Sequence, residues 1–179
     1  MNYDLPTALD VGGVRHAIRS DYRAVLDIFA ALSDCELSET DKLNILINIF
    51  YIEPPDDIED AVKQFFGFVN RFQPENSKPQ PKLMDWEQDF GLIADAVTLK
   101  AGRDIRADSY MHWWTFVGYY MNIGDCYFAQ VVSIRKKLSR GKKLDADDRE
   151  FYANNRQVID FEAKTTPEED AILAAWTGG

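Results

Sequence analysis

The sequence predicts a mainly α-helical single domain of several helices, with a short β-hairpin at its N-terminus. Apolar residues recur at helical spacing from Ser20 onward, whereas short alternating runs flank the pair Gly12-Gly13. The chain has 179 residues, 46% of them hydrophobic and 13% aromatic, which is enough to build a substantial core. We therefore assign residues 1–19 to the hairpin and residues 20–179 to the helical domain.

The hairpin is predicted from two short runs, Thr7–Val11 and Val14–Ile18. Gly12 and Gly13 between them can adopt the positive φ angles that a two-residue hairpin turn requires. A glycine-rich phosphate-binding loop is the alternative interpretation, but neither Gly-Lys-Ser/Thr nor GxGxxG follows the pair. The residues therefore favour a turn over a nucleotide site.

Three helices are predicted in the first half of the chain. Ser20, Ser38 and Asp56 are the expected starts, because each precedes an apolar run at helical spacing. Pro54-Pro55 ends the second helix, which is apolar around most of its circumference and is therefore predicted to be central. The third helix carries one apolar stripe, formed by Ile58, Ala61, Val62, Phe65, Val69 and Phe72.

Residues 73–83 contain three prolines and mainly polar side chains, which predicts a linker or mobile loop. Apolar residues at helical spacing return after this segment and predict further helices up to about residue 160. The sequence Thr166-Pro167-Glu168-Glu169 then supplies the N-cap, the first-turn proline and the glutamate that begin a last helix.

Composition excludes several classes of partner. Asp and Glu number 30 against 20 for Lys and Arg, so the formal net charge is −10. Proteins that bind nucleic acid through counterion release are basic, which argues against DNA and RNA. The apolar runs are far shorter than the ~20 residues that span a bilayer, and the N-terminus has no signal-peptide pattern. We expect a soluble cytoplasmic protein without a membrane partner, in which Cys35 and Cys126 are buried free thiols; a disulfide between them is the alternative.

The sequence contains no recognisable catalytic, cofactor-binding or metal-binding set. His16 and His112 are the two histidines, and there is no HExxH or CxxC motif. Acidic clusters at 56–60, 145–148 and 168–170 fall in predicted first turns, where carboxylates stabilise helix N-termini. Paired hydrolytic carboxylates or a calcium loop are the alternative, but the expected loop glycine and terminal glutamate are missing. The prediction is no enzyme, no cofactor and no metal.

Two features are candidates for partner binding. In the helix around Tyr110–Met121 the predicted inward stripe is Trp113, Val117 and Met121. The helix carries more aromatic side chains than this one face can bury, so some of them are expected to face a second helix, solvent or another protein. Between residues 135 and 143, six of nine residues are positively charged, and they complement a helix C-terminus or contact an acidic partner or subunit. The candidate contact residues are Trp114, Phe116, Tyr119, Tyr120, Arg135, Lys136 and Arg140.

A series of short motifs also runs through most of the chain and ends near Phe161. In order, these are Leu5-Pro6-Thr7, Ser20-Asp21-Tyr22-Arg23, Asp41-Lys42-Leu43, Asp85-Trp86, Tyr110-Met111-His112-Trp113-Trp114-Thr115-Phe116, Arg135 and Glu150-Phe151-Tyr152. In this pattern the chain resembles the tail assembly chaperones of long-tailed bacteriophages, the group named for gene product fifteen. His-Trp-Trp-x-Phe is the most specific part of the pattern.

The resemblance implies a non-enzymatic protein that binds the phage tape measure protein, the long helical protein that sets tail length. It implies that the chain keeps this partner soluble in the cytoplasm of the infected or lysogenic bacterial host and is absent from the mature virion. Self-association stays open. A permanent structural subunit of the tail or its connector is the alternative function, and such a subunit would be present in purified particles.

Overall fold

The computed structural model describes residues 4–73 and 81–162. It is mainly α-helical with an N-terminal antiparallel hairpin, which confirms the predicted fold class. Residues 74–80 of the predicted linker and the predicted helix start at Thr166–Glu169 lie outside the described residues. No helix in the described part of the chain is long and apolar enough to cross a membrane.

The described chain contains two strands and eight α-helices. In order they are β1 (Ala8–Val11), β2 (Val14–Ala17), α1 (Tyr22–Ser33), α2 (Glu39–Phe50), α3 (Ile58–Val69), α4 (Phe90–Ala101), α5 (Trp113–Tyr120), α6 (Tyr127–Ser139), α7 (Ala146–Asn154) and α8 (Arg156–Ile159). A short 3₁₀ helix, Ile105–Ala107, lies between α4 and α5. The elements pack as two compact units, the first built from residues 4–68 and the second from residues 69–161.

The hairpin forms as its glycine pair predicts. Val11 pairs with Val14, and Gly12 and Gly13 between them have φ angles of 56° and 81°. Two consecutive positive φ angles define the turn that matches the right-handed twist of paired strands. The Gly12 N–H also donates to Oδ2 of Asp60 at 2.9 Å, which attaches the turn to the first helical turn of α3.

Aromatic side chains form the core of the first unit. Phe50 at the end of α2 lies 4.9 Å from Phe65 and 5.3 Å from Phe68 between ring centroids, and all three are buried. The Tyr51 hydroxyl donates to the carbonyl of Ala61 at 2.7 Å. The prediction that α2 is buried all round is wrong, because the buried residues Leu46, Ile47 and Phe50 occupy one face only.

The helix starts are partly as predicted. Ser38 caps α2, since its side chain accepts the N–H three residues later at 3.1 Å. Asp21 caps α1 in place of Ser20, which is buried, and Asp57 caps α3 in place of Asp56. In both helices the cap is thus the residue directly before the first helical residue, whose side chain reaches the first-turn N–H groups.

The thiols differ from the expectation that both are buried. Cys35 is exposed after α1, whereas Cys126 is partly buried and serves as the N-cap of α6. The Cys126 sulfur accepts the Ala129 N–H at 3.4 Å, a weak form of the cap that Ser or Thr oxygens usually provide.

The second unit is organised around α4. This helix packs against α5, α6 and the 3₁₀ helix, while α8 packs against α6 and α7. Val131, Ile134 and Ile159 form a buried cluster between α6 and α8, with Leu92 and Phe151 packed against it. All seven candidate contact residues belong to this unit.

Candidate functional site

Helix α5 begins at a buried histidine. His112 is the N-cap, and its Nδ1 accepts the N–H of Trp114 at 3.0 Å. An imidazole nitrogen that accepts a hydrogen bond carries no proton, so the neutral ring holds its proton on Nε2. The imidazole of His112 therefore caps the helix.

The inward face of α5 is rotated from the predicted stripe. Trp113 and Phe116 are buried, and with Tyr120 they surround the indole of Trp86 at centroid distances between 5.3 and 6.3 Å. Met121, predicted to point inward, is 67% exposed. Phe116, predicted as a contact residue, is therefore corrected to a core residue.

Tyr120 and Tyr119 occupy different environments. The Tyr120 hydroxyl donates to the sulfur of Met84 at 2.7 Å, and burial, with a smaller contribution from Asp89, raises the pKa of this phenol. Tyr119 is partly exposed, and it raises the pKa of the Arg103 guanidinium by a smaller amount than Asp108 does. Tyr120 thus belongs mainly to the fold, while Tyr119 remains accessible.

The two neighbouring tryptophans both contact the turn that follows α3. Trp113 Nε1 donates to the carbonyl of Val69 at 3.1 Å, and the ring of Trp114 meets Phe72 edge-on at 6.3 Å. Phe72 is 51% exposed. The pair therefore has one buried side chain, Trp113, and one partly exposed side chain, Trp114.

An apolar strip follows one flank of α5. Trp114, Gly118 and Met121 are spaced i, i+4, i+7, which places them along one side of a helix. Phe72 extends the strip beside Trp114. We call Phe72, Trp114, Gly118 and Met121 the α5 strip. Among the described helices, α5 alone contains no charged residue.

Arg135 is not at the surface where the sequence interpretation placed it. It is 4% exposed and forms a two-pronged ion pair with Asp89, at 2.6 and 2.9 Å. Its remaining N–H groups donate to the carbonyls of Leu83, Val158 and Ile159, so all five donors of the guanidinium are used. Arg135 is therefore corrected from a contact residue to an internal anchor that joins three segments.

The rest of the basic run is arranged around the end of α6. Lys137 pairs with Asp148, while Lys136, Arg140, Lys142 and Lys143 are exposed. Gly141, with φ of 62°, and the residue after it donate to the carbonyls of residues 138 and 137, which is the Schellman arrangement that ends many helices. A glycine cap thus ends α6, with accessible cations around it.

The segment before α4 is fixed by Asp85. Its Oδ1 accepts the N–H groups of Glu87 and Gln88, both at 3.0 Å, and Lys82 donates to Oδ2 at 2.7 Å. Burial by itself raises the pKa of this carboxyl, but the hydrogen bonds from Lys82 and the two N–H groups outweigh it and hold the pKa at about 2.

This low pKa predicts a loss of stability in acid. The folded-state pKa lies below the ordinary value of about 3.9, so the carboxylate stabilises the fold above about pH 4 and loses this effect toward pH 2. Asp85→Asn is expected to lower the free energy of unfolding by about 1 to 2 kcal/mol at pH 7 and to flatten its fall between about pH 5 and pH 2.

Urea denaturation at a series of pH values measures this dependence. Asp10→Asn, at an exposed hairpin position, is the matched control and should leave the pH slope unchanged. A wild-type slope in Asp85→Asn would contradict the assigned role.

The acidic clusters at 56–60 and 145–148 lie at helix starts, and the cluster at 168–170 lies outside the described residues. No group of three or more His, Cys, Asp or Glu within the described residues has the geometry to hold a metal ion. Asp57 and Asp145 instead accept first-turn N–H groups of α3 and α7. These carboxylates act as caps, as their positions in the sequence predict.

Comparison with known proteins gives the family. A sequence-family model described as Bacteriophage Gp15 protein matches residues 1–161. The chain belongs to this family. No curated protein and no solved structure matches the chain. In this Gp15 family protein, the matched region includes the whole of α5, the α5 strip and the Arg135 anchor, and it ends where the motif pattern ends.

Proposed function

We propose that this Gp15 family protein is a non-enzymatic tail assembly chaperone, which binds the tape measure protein and keeps it soluble during tail assembly. Family membership supports a phage role. The observation that carries the chaperone role is the uncharged helix α5, whose flank is partly exposed at Trp114 and is continued by the exposed side chains of Phe72 and Met121. Long amphipathic helices expose apolar faces that aggregate in water, and an apolar surface on a soluble protein covers such faces.

The charge of the protein suits this role. A net charge of −10 opposes aggregation of the complex and keeps it away from nucleic acid. The exposed cations Lys136 and Arg140 offer a local site of attraction for acidic segments of the partner. We expect the protein in the cytoplasm of the bacterial host and outside the mature virion.

This proposal uses fewer contact residues than the sequence predicts. Trp114 and Tyr119 are partly accessible on α5, Lys136 is exposed on α6, and Arg140 is exposed directly after α6. The buried pair Phe116 and Arg135 is left out, and Tyr120 acts mainly within the fold.

Co-expression with the tape measure protein of the same phage tests the proposal. We expect the tape measure protein to be largely insoluble alone, to become soluble with this chain, and to co-purify with it. A tape measure protein that is equally soluble alone, or that never co-purifies, would contradict the chaperone role. A permanent subunit of the tail or connector is the alternative, and it predicts the chain in purified particles at a fixed copy number.

A further inference from the structure

We propose that the α5 strip receives one amphipathic helix of the tape measure protein, with Gly118 as the point of closest approach. The strip consists of Phe72, Trp114, Gly118 and Met121. This inference rests on the proposed function and assigns to it a surface, a mode of binding and a partner chemistry. The mode is the docking of a helix onto an apolar groove.

Gly118 has no role within the described fold that requires a glycine. It lies inside α5 with a negative φ angle, and a Cβ built at this position meets no atom within 4 Å. A glycine in a helix interior destabilises the helix relative to alanine. Gly118 lies between Trp114 one turn earlier and Met121 one turn later along the helix, so its missing side chain leaves a gap in the strip, and we call this gap the groove.

Phe72 lies beside Trp114 at the end of the strip, at a cost in backbone conformation. Arg71 and Phe72 have φ angles of 57° and 52°, the left-handed region that non-glycine residues rarely adopt. Their conformation places the half-exposed Phe72 ring edge-on to Trp114 instead of in a core. Two consecutive strained residues that keep an aromatic ring at the surface fit a binding role.

The charge pattern defines the partner. Because α5 contains no charge, a charged side chain docked onto the strip would lose its water without gaining an opposite charge. Arg71 beside Phe72 is exposed and forms no ion pair with another described residue. The partner helix must therefore present an uncharged apolar face at its centre and an acidic residue at the edge that meets Arg71.

Two leucine substitutions at glycines test the groove directly. Gly118→Leu fills it, while Gly91→Leu places the same side chain on an exposed position of α4 that also has no atom within 4 Å. Because leucine favours helix more than glycine does, both variants should unfold at or above the wild-type temperature. We expect Gly118→Leu to reduce the co-purified tape measure protein by at least about tenfold, with no change for Gly91→Leu.

A second pair of variants tests the apolar character. Met121→Glu introduces a charge into the strip, and Leu99→Glu introduces the same charge on an exposed position of α4. Only the Met121→Glu variant should lose co-purification. The Arg71→Glu variant should bind less tape measure protein than wild type at low salt. The difference between the two should shrink at high salt, because salt screens the added repulsion.

The outcomes separate the surface from the function. If the wild-type chain binds the tape measure protein and folded Gly118→Leu and Met121→Glu bind it equally well, the α5 strip is wrong and the chaperone role stands. If the wild-type chain binds no tape measure protein, both proposals fail.

Discussion

Arg135→Met is expected to lower the free energy of unfolding by about 3 to 5 kcal/mol. The substitution leaves the buried Asp89 carboxylate without its partner and removes the donors to the carbonyls of Leu83, Val158 and Ile159. A buried charge without a partner is far more costly than a missing ion pair at the surface. Urea denaturation followed by tryptophan fluorescence measures the loss.

A double variant shows whether the isolated charge is the cause. Arg135→Met combined with Asp89→Leu removes both charges and should recover part of the loss, because a buried ion pair replaced by apolar residues is often neutral in stability. The matched control is Lys136→Met, at the next position and exposed, which should change stability by less than about 0.5 kcal/mol. Equal effects of Arg135→Met and Lys136→Met would contradict the internal role.

Trp113→Ala is the second large effect, with an expected loss of about 3 to 5 kcal/mol in the free energy of unfolding. The indole is buried among Trp86 and Phe116, and it donates to the carbonyl of Val69. Trp113→Phe keeps a ring and removes the N–H donor, so it should cost less, about 1 to 3 kcal/mol.

The neighbouring tryptophan is the natural control. Trp114 lies on the surface side of the same turn, so Trp114→Ala should cost clearly less stability than Trp113→Ala. For co-purification of the tape measure protein we expect the opposite order. Trp114→Ala should lose more bound tape measure protein than Trp113→Ala, once the bound amount is divided by the folded fraction of each variant. Similar effects of both substitutions on both measurements would contradict the division into a core and a surface tryptophan.

Local signals predicted much of the fold. The glycine pair specified the hairpin turn, Ser38 specified a helix start and Gly141 specified a helix end. Each of these features depends on residues within a few positions, where backbone angles and caps are decided by short-range chemistry. Capping shifted by one position at Asp21 because neighbouring polar residues compete for the same N–H groups.

The orientation of α5 could not be predicted from periodicity. Almost every side chain of this helix is apolar or aromatic, so several faces satisfy a helical stripe equally well. The choice of Trp113 and Phe116 as the inward pair depends on Trp86, which lies 27 positions before Trp113 in the sequence. One local signal for the outer flank of α5 is Gly118, which lies between Trp114 and Met121 at helical spacing.

Arg135 was misassigned for a related reason. It begins a run of cations, and such runs are usually solvated, so nothing local separates it from Lys136. Its burial depends on Asp89, 46 positions earlier, and on carbonyls near the end of the described chain. The sequence identifies the seven candidates by residue type, as aromatic or basic side chains. The structure then separates those that are buried in the fold from those that are accessible.

The most direct test of the chaperone role is the recovery of the tagged protein from phage-infected cells before lysis, with quantification of every phage protein that accompanies it. The proposed function predicts the tape measure protein as the main phage partner, together with no detectable chain in purified particles from the same infection. Recovery of tail tube or connector proteins without the tape measure protein, and a fixed number of chains in each particle, would contradict it and favour a structural subunit.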